Sequence, residues 1–197
     1  MVITIRFDDV FRVVLGFEGG YVNDPADKGG ETNYGITAAT LESAKAKGWI
    51  PANVTIKNIK LDHAKTIYKK GYWDVIKADS LPDPLDLIVF DMAVNHGPTT
   101  AVGLLQQSLN SILKVGTSLV VDGIMGPKTL AAVKDVISMD HNMWLQPNSL
   151  VRYLCIDVLM NRVELYTSII TNNKSQERFF KGWIVNRVTK LKQQAGL

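Results

Sequence analysis

Cysteine is almost absent from this chain of 197 residues. Cys155 is the only one, so no internal disulfide framework can form, and the thiolates of a cysteine metal site are missing. It lies in the apolar stretch LVRYLCIDVLM, where a lone cysteine behaves as a small core residue. Histidine is also scarce. His63 and His141 have no ligand partner at metal spacing, and His96 reads as structural, so neither metal nor cofactor is expected. No apolar run approaches the ~20 residues that span a bilayer, so stable membrane insertion is not expected. The opening MVITIRFDDVFRVVLGFEGG has no basic leader, and Asp8, Asp9 and Arg12 interrupt its apolar stretch. It does not read as a secretory signal. The expectation is synthesis in the cytoplasm and action in the periplasm or wall after release by another agent, such as a holin. Zinc-finger spacing and basic–aromatic arrays are absent, which argues against a nucleic-acid partner. Strand signal is weak, and there is no low-complexity tract.

What remains is an ordinary globular composition, nearly half apolar and about a fifth charged. The length suffices for one core or two small ones. Charge is unevenly spread. Residues 1–100 carry eleven basic and thirteen acidic groups, a net of −2, whereas residues 101–197 carry eleven and six, a net of +5. A basic half suits an anionic partner such as a cell-wall polymer, and a solvated helix face explains it as well.

Helical periodicity dominates. In FDDVFRVVLGF, residues Phe7, Val10, Phe11, Val14 and Leu15 share one face, and Gly19–Gly20 end the pattern. TAATLESAKAKG has Thr37 as N-cap and Gly48 as stop, and LDHAKTIYKKGYW is a second amphipathic segment. DPLDLIVFDMAVNHG, with Pro84 at its first turn and Gly97 at its end, is apolar on most faces and predicts a buried central helix. Helices starting at Pro98 and Pro127 follow, then two long ones over about 148–171 and 175–193. A short hairpin fits only around 20–35, and 115–125 reads as loop. The prediction is a mainly α fold.

The stretch FEGGYVNDPADKGGETNYGIT, residues 17–37, carries the chemistry. Glu18 ends an apolar helix, where lost solvation disfavours its charged form and suits it to act as a general acid. Asp27 lies nine residues on, beyond a turn set by Asn23, Asp24 and Pro25, where it stays exposed and ionised. Thr32 adds a hydroxyl able to orient a water. Two carboxyls in contrasting surroundings are what glycoside hydrolysis uses. On composition alone, a capped turn explains the same residues. A calcium loop fails on ligand spacing.

EGGYVNDPADKGGETNYGIT is similar to the catalytic signature of the glycoside hydrolase 108 family, muramidases of phages and bacteria that include endolysins and secretion activators. The match runs through Glu18-Gly19-Gly20-Tyr21, Asn23-Asp24-Pro25, Asp27, Gly29-Gly30, Thr32 and Tyr34-Gly35-Ile36. It implies a lysozyme-like helical fold with a short β-hairpin at the active site, and Glu18 as the catalytic residue. The stretch also looks like the Glu…Asp…Thr arrangement of phage-type lysozymes, with Asp27 at the matching spacing and Thr32 one residue early. YKKGYWD (68–74) and DMAVNHG (91–97) resemble further blocks of the family. Asn95 sits in the element that faces the cleft in such folds, where it bonds an N-acetyl group or a water, or alternatively caps its helix.

The second half has its own resemblance. AVGLLQQSLN…VDGIMGPKTLAAV (101–133) looks like a peptidoglycan-binding module, and FFKGWIVNRVTKL (179–191) like the closing helix that accompanies it. Trp183 and Arg187 read as packing and ion-pair residues.

The resemblances imply a catalytic region over 1–97 and a peptidoglycan-binding-like region over 98–197, packed into one body. The function implied is an N-acetylmuramidase acting as a monomer on peptidoglycan glycan strands. Its catalytic residues would be Glu18, Asp27 and Thr32, with Tyr21, Asn23, Tyr34 and Asn95 binding substrate. The alternatives are a lytic transglycosylase working with Glu18 alone and a non-catalytic wall-binding or secretion-linked protein.

Overall fold

A computed structural model describes residues 5–18, 31–113, 118–139 and 149–197. The chain divides into two compact units, Met1–Val75 and Ile76–Leu197.

In the first unit, α1 spans Ile5–Glu18. Its face of Phe7, Val10, Phe11 and Val14 is buried, as the spacing predicts. Phe7 meets Trp73 edge-on at 5.2 Å, and Phe11 meets Tyr68 edge-on at 5.4 Å. Both partners come from α3 (Leu61–Tyr68) and the π-helical turn Lys69–Trp73 that prolongs it. A Lys65–Asp8 ion pair at 2.7 Å ties the same two helices at the surface. Between α1 and α3 lie a two-stranded antiparallel hairpin and α2 (Ala38–Ala46). Strand β1 is Thr32–Asn33 and β2 is Ile36–Thr37, paired Thr32 to Thr37 and Asn33 to Ile36. The hairpin therefore lies at the far end of the stretch that the sequence suggests, and runs past it. Thr37 caps α2 by accepting from the Thr40 N–H at 3.2 Å, and Gly48 follows the helix at φ +66°.

The second unit is built around α4 (Leu85–His96). Pro84 is its N-cap, one position earlier than a first-turn proline, and Gly97 closes it at φ +84°. Every residue from Leu85 to Ala93 is buried. Helix α5 (Pro98–Leu113) starts immediately and packs along α4. Helices α6 (Pro127–Met139) and α7 (Leu150–Asn172) pack against α5, and α7 also lies against α4. The chain closes with α8 (Glu177–Lys181), a wide π-helical turn Gly182–Thr189 and α9 (Lys190–Gln194), in continuous succession. Periodicity predicts an uninterrupted α-helix there. The wider turn separates α8 from α9 and carries Trp183 and Arg187. Cys155 is fully buried on α7, and burial pushes its thiol pKa up, as for an inert core residue. No helix among the described residues is long and apolar enough to cross a membrane.

Candidate active site

Glu18 is the last residue of α1. Its side chain lies outside the described residues, as do Tyr21, Asn23 and Asp27. Thr32 and Tyr34 are the candidate site residues of the first unit whose side chains are described. Thr32 is half-buried on β1, and its hydroxyl makes no hydrogen bond among the described residues. Tyr34 and Gly35 form the hairpin turn, both left-handed, at φ +52° and +71°. Two positive φ values suit the twist of a two-residue hairpin, but the left-handed region is uncommon for a tyrosine. Two bonds hold the strained turn. The Tyr68 hydroxyl donates to the Tyr34 carbonyl at 2.9 Å, and Asn33 Nδ2 donates to the Ile56 carbonyl at 3.2 Å. Tyr68 thus packs its ring on α1 through Phe11 and bonds the hairpin with its hydroxyl. It couples the helix that ends in Glu18 to the strand that carries Thr32. The YKKGYWD resemblance flags Tyr68, but only the structure shows this task.

Asn95 belongs to the other unit, which is built on a different cluster. Asp91 is fully buried on α4 and meets two guanidinium groups. Arg162 Nη1 donates to Oδ2 at 2.6 Å. Arg187 donates Nε to both carboxylate oxygens at 3.2 Å and pairs through Nη2 with Oδ1 at 3.1 Å. Arg162 is itself fully buried. Its Nε donates to the Tyr166 hydroxyl at 3.0 Å and its Nη2 to Asn95 Oδ1 at 3.3 Å. The Tyr166 hydroxyl in turn donates to Asn95 Oδ1 at 3.0 Å. Burial raises the pKa of that phenol, so it stays a neutral donor. Trp183 stacks on the Tyr166 ring at 4.9 Å. The packing and ion-pair roles read for Trp183 and Arg187 are what the structure contains. Asn95 does not cap its helix, because the cap is Gly97, whose N–H bonds to the Ala93 carbonyl. His96 packs its ring 5.1 Å from Tyr166, and its pKa is lowered to about 4, first by burial and then by Arg162 and Arg187.

The DGIMGPKT segment, residues 122–129, is organised from inside by Gln106 of α5, which is 1 % exposed. Its Nε2 donates to Asp122 Oδ1 at 2.8 Å, Thr129 Oγ1 at 3.0 Å and the Ile124 carbonyl at 3.2 Å. Its Oε1 accepts from the Gly123 N–H at 2.9 Å. The motif therefore holds a loop in shape. Outside, the loop exposes Val120 and Ile124 and borders a cleft of about 450 Å³ with Lys128 at its edge. No group of carboxylate, histidine or cysteine side chains among the described residues could hold a metal ion.

Comparison with known proteins gives a consistent result. The family model described as Glycosyl hydrolase 108 matches residues 11–97, and that described as Predicted Peptidoglycan domain matches residues 100–188. A solved structure titled "Structure of Brucella abortus SagA" is 30% identical, with a TM-score of 0.67, covering 96% of this chain and 93% of that one. The chain belongs to the glycosyl hydrolase 108 family. The fold is the mainly α, lysozyme-like one that the signature implies, with its short hairpin. Comparison with curated proteins finds no match. The pairing of a glycosyl hydrolase 108 segment with a peptidoglycan segment supports a peptidoglycan hydrolase acting at the cell wall. The boundary between the two family segments, at 97–100, does not coincide with the break between compact units at Val75–Ile76. Helix α4 ends the first segment but packs with the second.

Proposed function

We propose that this glycosyl hydrolase 108 protein is an N-acetylmuramidase, cutting the β-1,4 bond between N-acetylmuramic acid and N-acetylglucosamine. The observation that carries the reading is the E-G-G-Y signature, with Glu18 closing the apolar helix α1, in a chain that also bears a peptidoglycan segment. Glu18 donates its proton to the glycosidic oxygen as the bond to the anomeric carbon breaks. Charge builds on the sugar ring as an oxocarbenium-like species. Asp27, or a water that Asp27 and Thr32 orient, meets that charge. Water then supplies the hydroxyl of the new reducing end. The hydroxyl of Thr32, which makes no hydrogen bond among the described residues and sits on β1 next to the turn that Tyr68 bonds, suits the water-orienting role. Tyr21, Asn23, Tyr34 and Asn95 contact the glycan. The enzyme acts as a monomer, after release from the cytoplasm.

The test is lysis of purified cell walls with product analysis. Glu18→Gln is expected to abolish release of soluble fragments while leaving the thermal melt unchanged. Wild-type products are expected to end in reducing N-acetylmuramic acid. Substantial activity in Glu18→Gln, or anhydro-muramic ends from the wild type, would overturn the assignment.

A further inference from the structure

The YKKGYWD block does more than brace the hairpin. Its Gly71 and Tyr72, on the π-helical turn, help to line a cleft of about 340 Å³ within the first unit. Thr40 and Ser43 of α2, with Lys47 and Trp49 just beyond that helix, line it too. Trp49 and Tyr72 are both half-buried. Three polar groups of the lining are uncommitted. The Ser43 hydroxyl, the Trp49 Nε1 and the Lys47 ammonium make no hydrogen bond or ion pair among the described residues. The ammonium lies over the Trp49 ring at 4.6 Å and restrains the indole from one face. Gly71 leaves room at the edge of that ring, since a Cβ there would stand 3.5 Å from Cζ3. Among the described residues, no carboxylate lines the cleft.

A buried indole N–H generally finds a partner within the protein, whereas this one is left to water or to a ligand. The face of an aromatic ring is electron-rich and attracts C–H groups. A pyranose offers such C–H groups on its faces and oxygen acceptors around its rim. Two aromatic side chains, a hydroxyl, an indole N–H and a cation in one cleft therefore fit a sugar rich in acceptors. A lining with Lys47 and no carboxylate disfavours a cationic ligand and suits a wall polymer that carries carboxylates. The cleft is also removed from the catalytic end of α1. Trp73, next in sequence to Tyr72, packs on Phe7, which is eleven residues and thus about 16 Å along the helix from Glu18. We propose that this cleft is a second, non-catalytic glycan site of the first unit. It holds an N-acetylated sugar of the peptidoglycan strand against Trp49 and Tyr72, with Ser43 and Trp49 Nε1 donating to the sugar's oxygens. The proposal rests on the reading of peptidoglycan as substrate, not on the role of Glu18. A site of this kind keeps the enzyme on the strand between cuts.

Titration of N-acetylchitotetraose into Glu18→Gln protein tests it. The readout is the indole N–H resonance of Trp49, identified by its loss in Trp49→Phe. That resonance should shift along a saturable curve. Ser43 is exposed, so Ser43→Ala leaves the fold intact while removing one donor. It should weaken the Kd read at Trp49 about two- to tenfold, the range for one neutral hydrogen bond. Gly71→Ala, which fills the space at the ring's edge, should weaken it as well. On intact sacculi, Ser43→Ala should raise KM and leave kcat at the wild-type value. No shift at Trp49, or a shift whose midpoint Ser43→Ala does not move, would overturn the proposal. A shift with the free stem tetrapeptide and none with the sugar would overturn it too, by marking a peptide site. A fall in kcat for Ser43→Ala would do the same, by placing Ser43 in the catalytic machinery. Absence of wall hydrolysis in the wild type, with the Trp49 shift intact, would instead remove the muramidase reading and leave this site standing, so the two failures are distinguishable.

Discussion

His96 Nε2 is buried and has no hydrogen-bond partner among the described residues. Leaving a neutral ring nitrogen unpaired is costly, and charging it there would cost more, beside Arg162 and Arg187. Its pKa falls from 6.5 in the free side chain to about 4 in the folded protein. Between those values the unfolded chain binds the extra proton and the native state does not. The contribution of His96 to stability is therefore fully present above pH 6.5 and declines as pH falls toward 4. Urea denaturation at pH 7 and pH 5 should show a smaller loss for His96→Gln than for the wild type. Equal losses would show that His96 does not set the slope. A sequence reading can place His96 and Asn95 at a helix end, but it cannot supply their surroundings. Arg162 is separated from Asp91 by 71 residues, and an arginine within a largely apolar helix gives no clue to its partner. The visible signal was weaker: Asp91 with Asn95, and Arg162 with Tyr166, are each four apart and so share a helix face.

Among the elements, the loop before α6 shows how a motif enforces a shape. Gly123 sits at φ +71°, and a Cβ there would fall 2.5 Å from the Thr99 carbonyl oxygen and Cγ2. A Cβ is thus barred by contact and strained by conformation. Gly123→Ala should destabilise the protein by about 2 kcal/mol or more, because the loop must shift and break bonds to the buried Gln106. Thermal melts check this, and an unchanged melting temperature would refute it. Elements of this kind were largely legible. The faces of α1 and α4, the Thr37 cap and the proline-started helices α5 and α6 follow from spacing and end signals. Two departures have local causes. The hairpin lies at Thr32–Thr37 because Tyr34 adopts a left-handed conformation that only its bond to Tyr68 makes evident. The π-helical turn over Gly182–Thr189 has the composition of an ordinary helix, and its width accompanies two contacts of distant origin, Trp183 on Tyr166 and Arg187 on Asp91.

On the scale of the molecule, the two family segments and the two compact units divide the chain at different places. Within Ile76–Leu197, helix α4 supplies the only described carboxylate that pairs with Arg162, and α7 supplies the arginine. A fragment starting at Pro98 keeps Arg162 and Arg187 but lacks Asp91. Stranding a buried charge is costly, commonly by about 3–5 kcal/mol. The expectation is that residues 76–197 give a cooperative thermal transition by circular dichroism, whereas residues 98–197 do not. A cooperative transition in the shorter fragment would show that Asp91 is dispensable. The family of the first segment was legible through the signature at 17–37. The boundary was not, because the signature ends on a helix whose buried partners come later in the chain.

The overlap at α4 also bears on inheritance. Here the seam suggested by the family segments cuts between a carboxylate and its two arginines. A recombinant that takes in a foreign C-terminal half at residue 98 inherits arginines fitted to another parent's α4. Viable crossovers should therefore fall upstream, near residue 76, and carry α4, with its Asn95, along with the wall-binding segment.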